Sequence, residues 1–215
     1  MIKLHYYPGN ASLIVHVLLE DLGTPFELVP VDRGARAHKS AEYLKLNPNG
    51  LIPVLLDGDL VLYETAAICL HLIDRYGNAR FAPAVGSPER AHFYKWLVWS
   101  SSTLQAMLIH YFYPDRMVDE DNADGAAQLK AHAAAKVGEM LDQVDAALAS
   151  HGGPWMLGGT YSALDPYLLV LCRWTRGFER PARSLPNVGP YLQRMLARPA
   201  VQRAFTTEKL AQPLV

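Results

Sequence analysis

The sequence predicts a mixed α/β unit followed by an all-helical one, on three observations. Two runs of alternating bulky residues, 3–7 and 26–31, bracket apolar positions at helical spacing. Two further runs, 54–56 and 60–63, flank Asp57-Gly58-Asp59, which has hairpin turn chemistry. Beyond Ala82-Pro83-Ala84-Val85-Gly86-Ser87-Pro88 no alternating run recurs, and every periodic stretch is helical. The expected division is therefore a first domain at 1–79, a linker at 80–87 and a helical domain at 88–215.

Taken in order, the strand at 3–7 leads into a helix at 12–22 carrying Leu13, Ile14, Val17, Leu18 and Leu22, with Gly23 placed for a left-handed cap. The strand at 26–31 completes a βαβ unit. A short helix at 41–45 precedes the turn Asn47-Pro48-Asn49-Gly50, then the hairpin, then a helix opened by Thr65 and carrying Ile68, Leu72, Ile73 and Tyr76. In the second half, 89–109 reads as one long helix, 114–124 as an acidic loop and 126–149 as an amphipathic helix. Ser162-Ala163-Leu164-Asp165 has the form of a capping box ahead of a helix, 167–174, that is apolar all round and so expected to be buried. The last helix expected is 187–198, closed by Pro199.

Composition excludes several function classes. Twenty basic against 21 acidic residues, a net charge of −1, give no electrostatic ground for binding nucleic acid or an anionic membrane. The opening residues lack a charged segment followed by a long apolar one, so no signal peptide is expected. No apolar run approaches the ~20 residues that span a bilayer, and a cytoplasmic location follows as the expectation. Cys69 and Cys172 sit singly in apolar helical patterns, as buried thiols, and no C-x-x-C supplies dithiol chemistry. The histidines His16, His71 and His92 have no partner at ligand spacing, so no metal is expected.

Three stretches can carry chemistry. Ile52-Pro53 is a candidate cis turn whose extended residue leaves its backbone N–H and C=O free for an extended ligand. The loop Tyr6-Tyr7-Pro8-Gly9-Asn10-Ala11-Ser12 joins a strand end to a helix N-terminus, where free N–H groups favour an anion such as a thiolate. Ser12, Asn10 and Tyr6, in that order, are the candidate donors. Glu64-Thr65 opens another helix, pairing a carboxylate with helix N–H groups, which suits the amino-acid end of a zwitterion.

These motifs occur in one order along nearly the whole chain, and together they resemble a bacterial cytosolic glutathione transferase. That resemblance implies a thioredoxin-like N-terminal domain, a helical C-terminal domain and a homodimer. It implies that Pro53 is a cis proline, that the Ile52 backbone pairs with the cysteinyl part of glutathione, and that Glu64 and Thr65 hold the γ-glutamyl group. Lys39, with His38 beside it, matches the family's basic position for the glycyl carboxylate. A hydrophobic electrophile would lie between the domains, against Trp99, Thr103, Tyr111, Tyr113 and Trp174. The nearest pattern is the beta class, but its cysteine is replaced here by Ala11, and its histidine aligns with Gln105, with His110 one turn further on. An enzyme thiol is thus unavailable at that position, and ionisation of glutathione must rest on hydroxyl and amide donors. The expected function is conjugation of glutathione to an electrophile. The alternatives are a glutathione-dependent disulfide reductase or peroxidase, and a non-catalytic glutathione-binding protein.

Overall fold

A computed structural model describes residues 1–77 and 79–215; Asn78, inside the expected first domain, lies outside the described residues. The N-terminal unit is a four-stranded sheet in the order β2-β1-β3-β4, built from β1 (Ile2–Tyr6), β2 (Phe26–Pro30), β3 (Val54–Asp57) and β4 (Leu60–Tyr63). β1 runs parallel to β2, which requires the crossover through α1 (Ser12–Leu22), and antiparallel to β3. Alternation along β3 sends Leu55 into the main core and Val54 to the opposite face. There Val54 meets Tyr43 of α2 (Ala41–Leu46). α3 (Thr65–Tyr76) packs with α1 on the main core side. This is the thioredoxin-like arrangement implied by the motif order.

α1 is apolar nearly all round because it is covered on both sides. Only Glu20 and Asp21 escape burial, and the helical unit covers the face away from the sheet. Those two acids take Arg203 and Arg198, so the sole polar patch of α1 is tied to the second unit.

The helical unit comprises α4 (Pro88–Trp99), α5 (Gln105–Phe112), α6 (Ala123–His151), α7 (Leu164–Trp174), α8 (Val188–Leu196) and α9 (Pro199–Thr207). Two expectations are corrected here. The single long helix at 89–109 is divided by a π-helical turn, Ser100–Leu104. The hydroxyls of Ser101 and Ser102 both donate to the Val98 carbonyl, at 3.0 and 2.7 Å, and this competition with the backbone ladder widens the turn. Pro199 does not end the chain's helical structure; it is the first residue of α9, where its missing N–H costs nothing.

The capping box forms at the entrance to α7. The Ser162 N–H donates to Asp165 Oδ2 (2.7 Å), and Ser162 Oγ accepts from the Leu164 N–H (3.3 Å). Asp165 is fully buried and also accepts from the Met156 N–H (2.9 Å) and the Tyr191 hydroxyl (3.1 Å). Burial pushes its carboxyl up to about 6, against donors that favour the charged form. Among the described residues no helix is long and apolar enough to cross a membrane. We expect Asp165→Ala to lower stability by about 3 kcal/mol, because it strands the Met156 and Ser162 N–H groups in the core. Urea unfolding, read as a lower midpoint at unchanged slope, checks this.

Candidate functional site

The loop between β1 and α1 is held by its own backbone and by the helical unit. Ser12 is buried, and its hydroxyl is committed at both ends to Tyr7: Oγ accepts from the Tyr7 N–H (3.2 Å) and donates to the Tyr7 carbonyl (3.1 Å). Asn10, half-buried, uses its Oδ1 to accept from the Ala11 N–H (2.7 Å), which leaves the amide N–H2 group as a free donor. The backbone N–H of Ser12, the first of α1, has no hydrogen-bond partner among the described residues. Tyr6 packs its ring edge-on against His16, 6.4 Å between centroids. Burial, with the nearby charge of Glu208, raises its phenol pKa.

Gly9 is gripped from both sides by the helical unit. Its N–H donates to Glu208 Oε2 (2.8 Å), and its carbonyl accepts from Trp174 Nε1 (3.0 Å). The other oxygen of Glu208 lies 2.8 Å from Nδ1 of the fully buried His16, so one carboxylate fastens both the loop and α1. Gly9 adopts φ +70°, which a side chain would make costly.

The turn before β3 provides an open backbone. The Ile52–Pro53 bond is cis, and neither the N–H nor the C=O of Ile52 is paired among the described residues. The Leu51 carbonyl beside it is tied down by the Tyr43 hydroxyl (2.8 Å) and Asn47 (3.0 Å). His38 and Lys39 lie against this turn: Lys39 Nζ donates to the Asn49 carbonyl (3.0 Å). A Cβ on Gly50 would stand 2.7 Å from the His38 carbonyl, so only glycine lets the two segments touch. Burial lowers the His38 pKa, as do the charges of Lys39, Arg33, Arg36 and Arg116; the imidazole is therefore neutral at pH 7, and its Nδ1 is buried without a partner. Lys39 carries the charge.

Two cavities of about 200 Å³ open along α5. One is lined by Glu64, Thr65, Ala66, Ser101, Gln105 and Tyr167, among others. Glu64 holds φ +71°, a conformation rare for a residue with a side chain and typical of a position constrained by function. Tyr167 donates to Gln105 Oε1 (2.6 Å), which turns the Gln105 amide N–H2 group away from the tyrosine. The other cavity is lined by Gly9, Asn10, Phe112, Tyr113, Trp174 and Arg176. Ile109 lines both.

Of the five expected electrophile residues, Tyr113 and Trp174 line the second cavity. Trp99 packs instead on Trp96 (5.1 Å), Tyr111 stacks on Phe178 (4.1 Å), and Thr103 lies in the π-helical turn; none of the three lines either cavity. The sequence reading did not find Ile109, Phe112 or Arg176. The signal for two of them was spacing, since Ile109 and Phe112 are three residues apart on one face of α5; Arg176 lies past the end of α7 and carries no periodic signal. His110 lines neither cavity. Among the described residues no group of three or more His, Cys, Asp or Glu side chains gathers to hold a metal. Burial pushes the Cys69 and Cys172 thiols up to about 12, so neither supplies a thiolate.

Known proteins share both units. Residues 1–74 match the glutathione S-transferase N-terminal domain and residues 109–207 the C-terminal domain. Glutathione S-transferase GstA of Escherichia coli O157:H7 is 31% identical over 210 residues, covering 97% of this chain and 99% of its own. Glutathione S-transferase GST-4.5 of Xanthomonas campestris pv. campestris is 32% identical over 214 residues, 97% of this chain and 99% of its own. A crystal structure of a glutathione transferase homologue from Sulfitobacter with bound glutathione superposes with a TM-score of 0.88 at 26% identity, covering 98% of this chain and 99% of that one.

The grip on Gly9 gives a direct test. Glu208→Ala leaves the His16 ring and the Gly9 N–H without their hydrogen-bond partner, at a cost of about 1–3 kcal/mol for each stranded group. Hydrogen exchange at the Gly9 amide should accelerate in that variant more than exchange at the core amides of β1.

Proposed function

The chain belongs to the glutathione S-transferase family, and from that premise we propose that it ionises bound glutathione and joins the sulfur to a hydrophobic electrophile. The observation that carries this reading is the pair of cavities that share Ile109 as a lining residue. One end suits an amino-acid group, the other suits a flat apolar molecule, and the Asn10 loop borders the second.

In this reading the γ-glutamyl ammonium pairs with the exposed Glu64 carboxylate, and its carboxylate takes the first N–H groups of α3 at Thr65. The cysteinyl backbone pairs with the free N–H and C=O of Ile52, beside Pro53. Lys39 receives the glycyl carboxylate by charge, and His38 contributes a neutral ring. The thiolate is stabilised by the Asn10 amide, the Ser12 backbone N–H and the positive end of α1. The Ser12 hydroxyl, first among the candidates by sequence, is better suited to holding Tyr7 in place, since both its hydrogen bonds are already made. The sulfur then attacks the electrophilic carbon; a sulfur–carbon bond forms and the leaving group departs with its electron pair. The nucleophile belongs to glutathione, in keeping with Ala11 at the beta-class cysteine position and with two inaccessible thiols.

The same reading includes the division at 1–79, 80–87 and 88–215, a cytoplasmic location and a homodimer. Exposed Tyr94 and Val98, one turn apart on α4, and Leu60 and Val61 on the edge strand β4 are apolar surface available to a second copy.

Asn10→Ala should lower kcat/KM for conjugation to an activated aryl chloride by ~10²-fold, the typical loss of one donor to a developing anion. Ser12→Ala should cost less than that in kcat; the reverse order in steady-state assays would return the donor role to the hydroxyl. Val98→Arg should shift the protein from dimer to monomer in sedimentation velocity, because it places a charge in an apolar contact.

A further inference from the structure

The second cavity sets an aromatic and aliphatic wall, Ile109, Phe112, Tyr113 and Trp174, beside the Asn10 amide. Of the seven residues that line it, Arg176 alone is charged. Its guanidinium donates to the Arg173 carbonyl (3.2 Å), which steadies the side chain, and no carboxylate pairs with it among the described residues. Among the described residues Arg33 and Arg116 are equally without an acid. Arg33 donates to the Tyr113 hydroxyl (3.0 Å), and Arg116 lies 3.9 Å over the Tyr113 ring, so both converge on a lining residue. Of the other arginines, Arg75, Arg90, Arg180, Arg198 and Arg203 each meet an aspartate or glutamate, while Arg36, Arg80, Arg173, Arg183 and Arg194 do not among the described residues; what sets Arg176 apart is its place in the cavity lining. Three cations without a carboxylate partner beside one aromatic wall favour an anionic group on the molecule that enters.

We propose, building on the conjugating role above, that the second substrate is a flat aromatic electrophile carrying a carboxylate, and that Arg176 is the specificity-determining residue. The ring lies against Trp174 and Phe112, the carboxylate meets the Arg176 fork, and the reacting carbon faces Asn10. Guanidinium matches carboxylate geometry with two parallel N–H donors, which an ammonium does not. Arg33 and Arg116 draw the anion toward the mouth without touching the reacting carbon. With an aryl chloride the glutathione thiol first gives its proton to solvent. The thiolate then forms the sulfur–carbon bond, and chloride leaves with the bonding pair.

The test compares chlorodinitrobenzene with chlorodinitrobenzoate, each kcat/KM divided by the uncatalysed rate with glutathione. The carboxylated substrate should be favoured by about ten-fold, the effect of one charge-assisted pair at a partly exposed site. R176Q should remove that preference, R176K should keep part of it, and added salt should weaken it in the native enzyme. Equal normalised rates in the native enzyme, or a preference unchanged in R176Q, would overturn the inference while leaving conjugation intact, since chlorodinitrobenzene is still turned over. Conjugation of neither compound would overturn both.

Discussion

The site depends on how one peptide unit, that of Gly9, is held. Gly9 belongs to the N-terminal unit, but both its hydrogen-bond partners, Glu208 and Trp174, stand at the ends of α9 and α7. Burying a carboxylate is expensive unless donors surround it, and Glu208 meets the Gly9 N–H and the His16 ring at once. The same pair of contacts fixes α1 and the loop that leads into it. The free N–H at the start of α1 and the Asn10 amide therefore keep a constant relation to the aromatic wall formed by Trp174. Neither unit alone supplies a complete site.

A second constraint is the distribution of charge along the cleft. Glu64 places a single carboxylate at one end, on a backbone held at φ +71°. On the other side burial lowers the pKa of His38, and the nearby charges of Lys39, Arg33, Arg36 and Arg116 lower it further. A ligand with an ammonium group at one end and a carboxylate at the other fits this polarity in one direction only. In the proposed binding mode orientation comes from electrostatics, and the unpaired backbone of Ile52 provides the register between the two poles.

Much of this was legible in the sequence, for identifiable reasons. Strands and helices of the first unit announce themselves through period and punctuation: alternation in β1 and β2, Gly23 past α1, the hairpin turn at Asp57-Gly58-Asp59. The turn at Ile52-Pro53 and the Ser162–Asp165 box are local motifs whose partners lie within a few residues. What escaped depended on distant contacts or on side-chain competition. The π-helical turn arises because two serine hydroxyls choose the same carbonyl, a choice that apolar periodicity does not register. α9 was missed because Pro199 signals a helix start as well as a stop. Ser12 and Asn10 look interchangeable as donors until the Tyr7 backbone is seen to claim the serine. The reach of Glu208 across 199 residues to Gly9 leaves no local trace at all.

The central claim is that the start of α1, steadied through Gly9, stabilises a thiolate on bound glutathione. Ultraviolet titration of glutathione bound to the native protein reads that ionisation directly. The account predicts a thiol pKa clearly below the ~8.5 of an unperturbed cysteine. A bound thiol that titrates at or above that value, or a protein that takes up no glutathione, would contradict it.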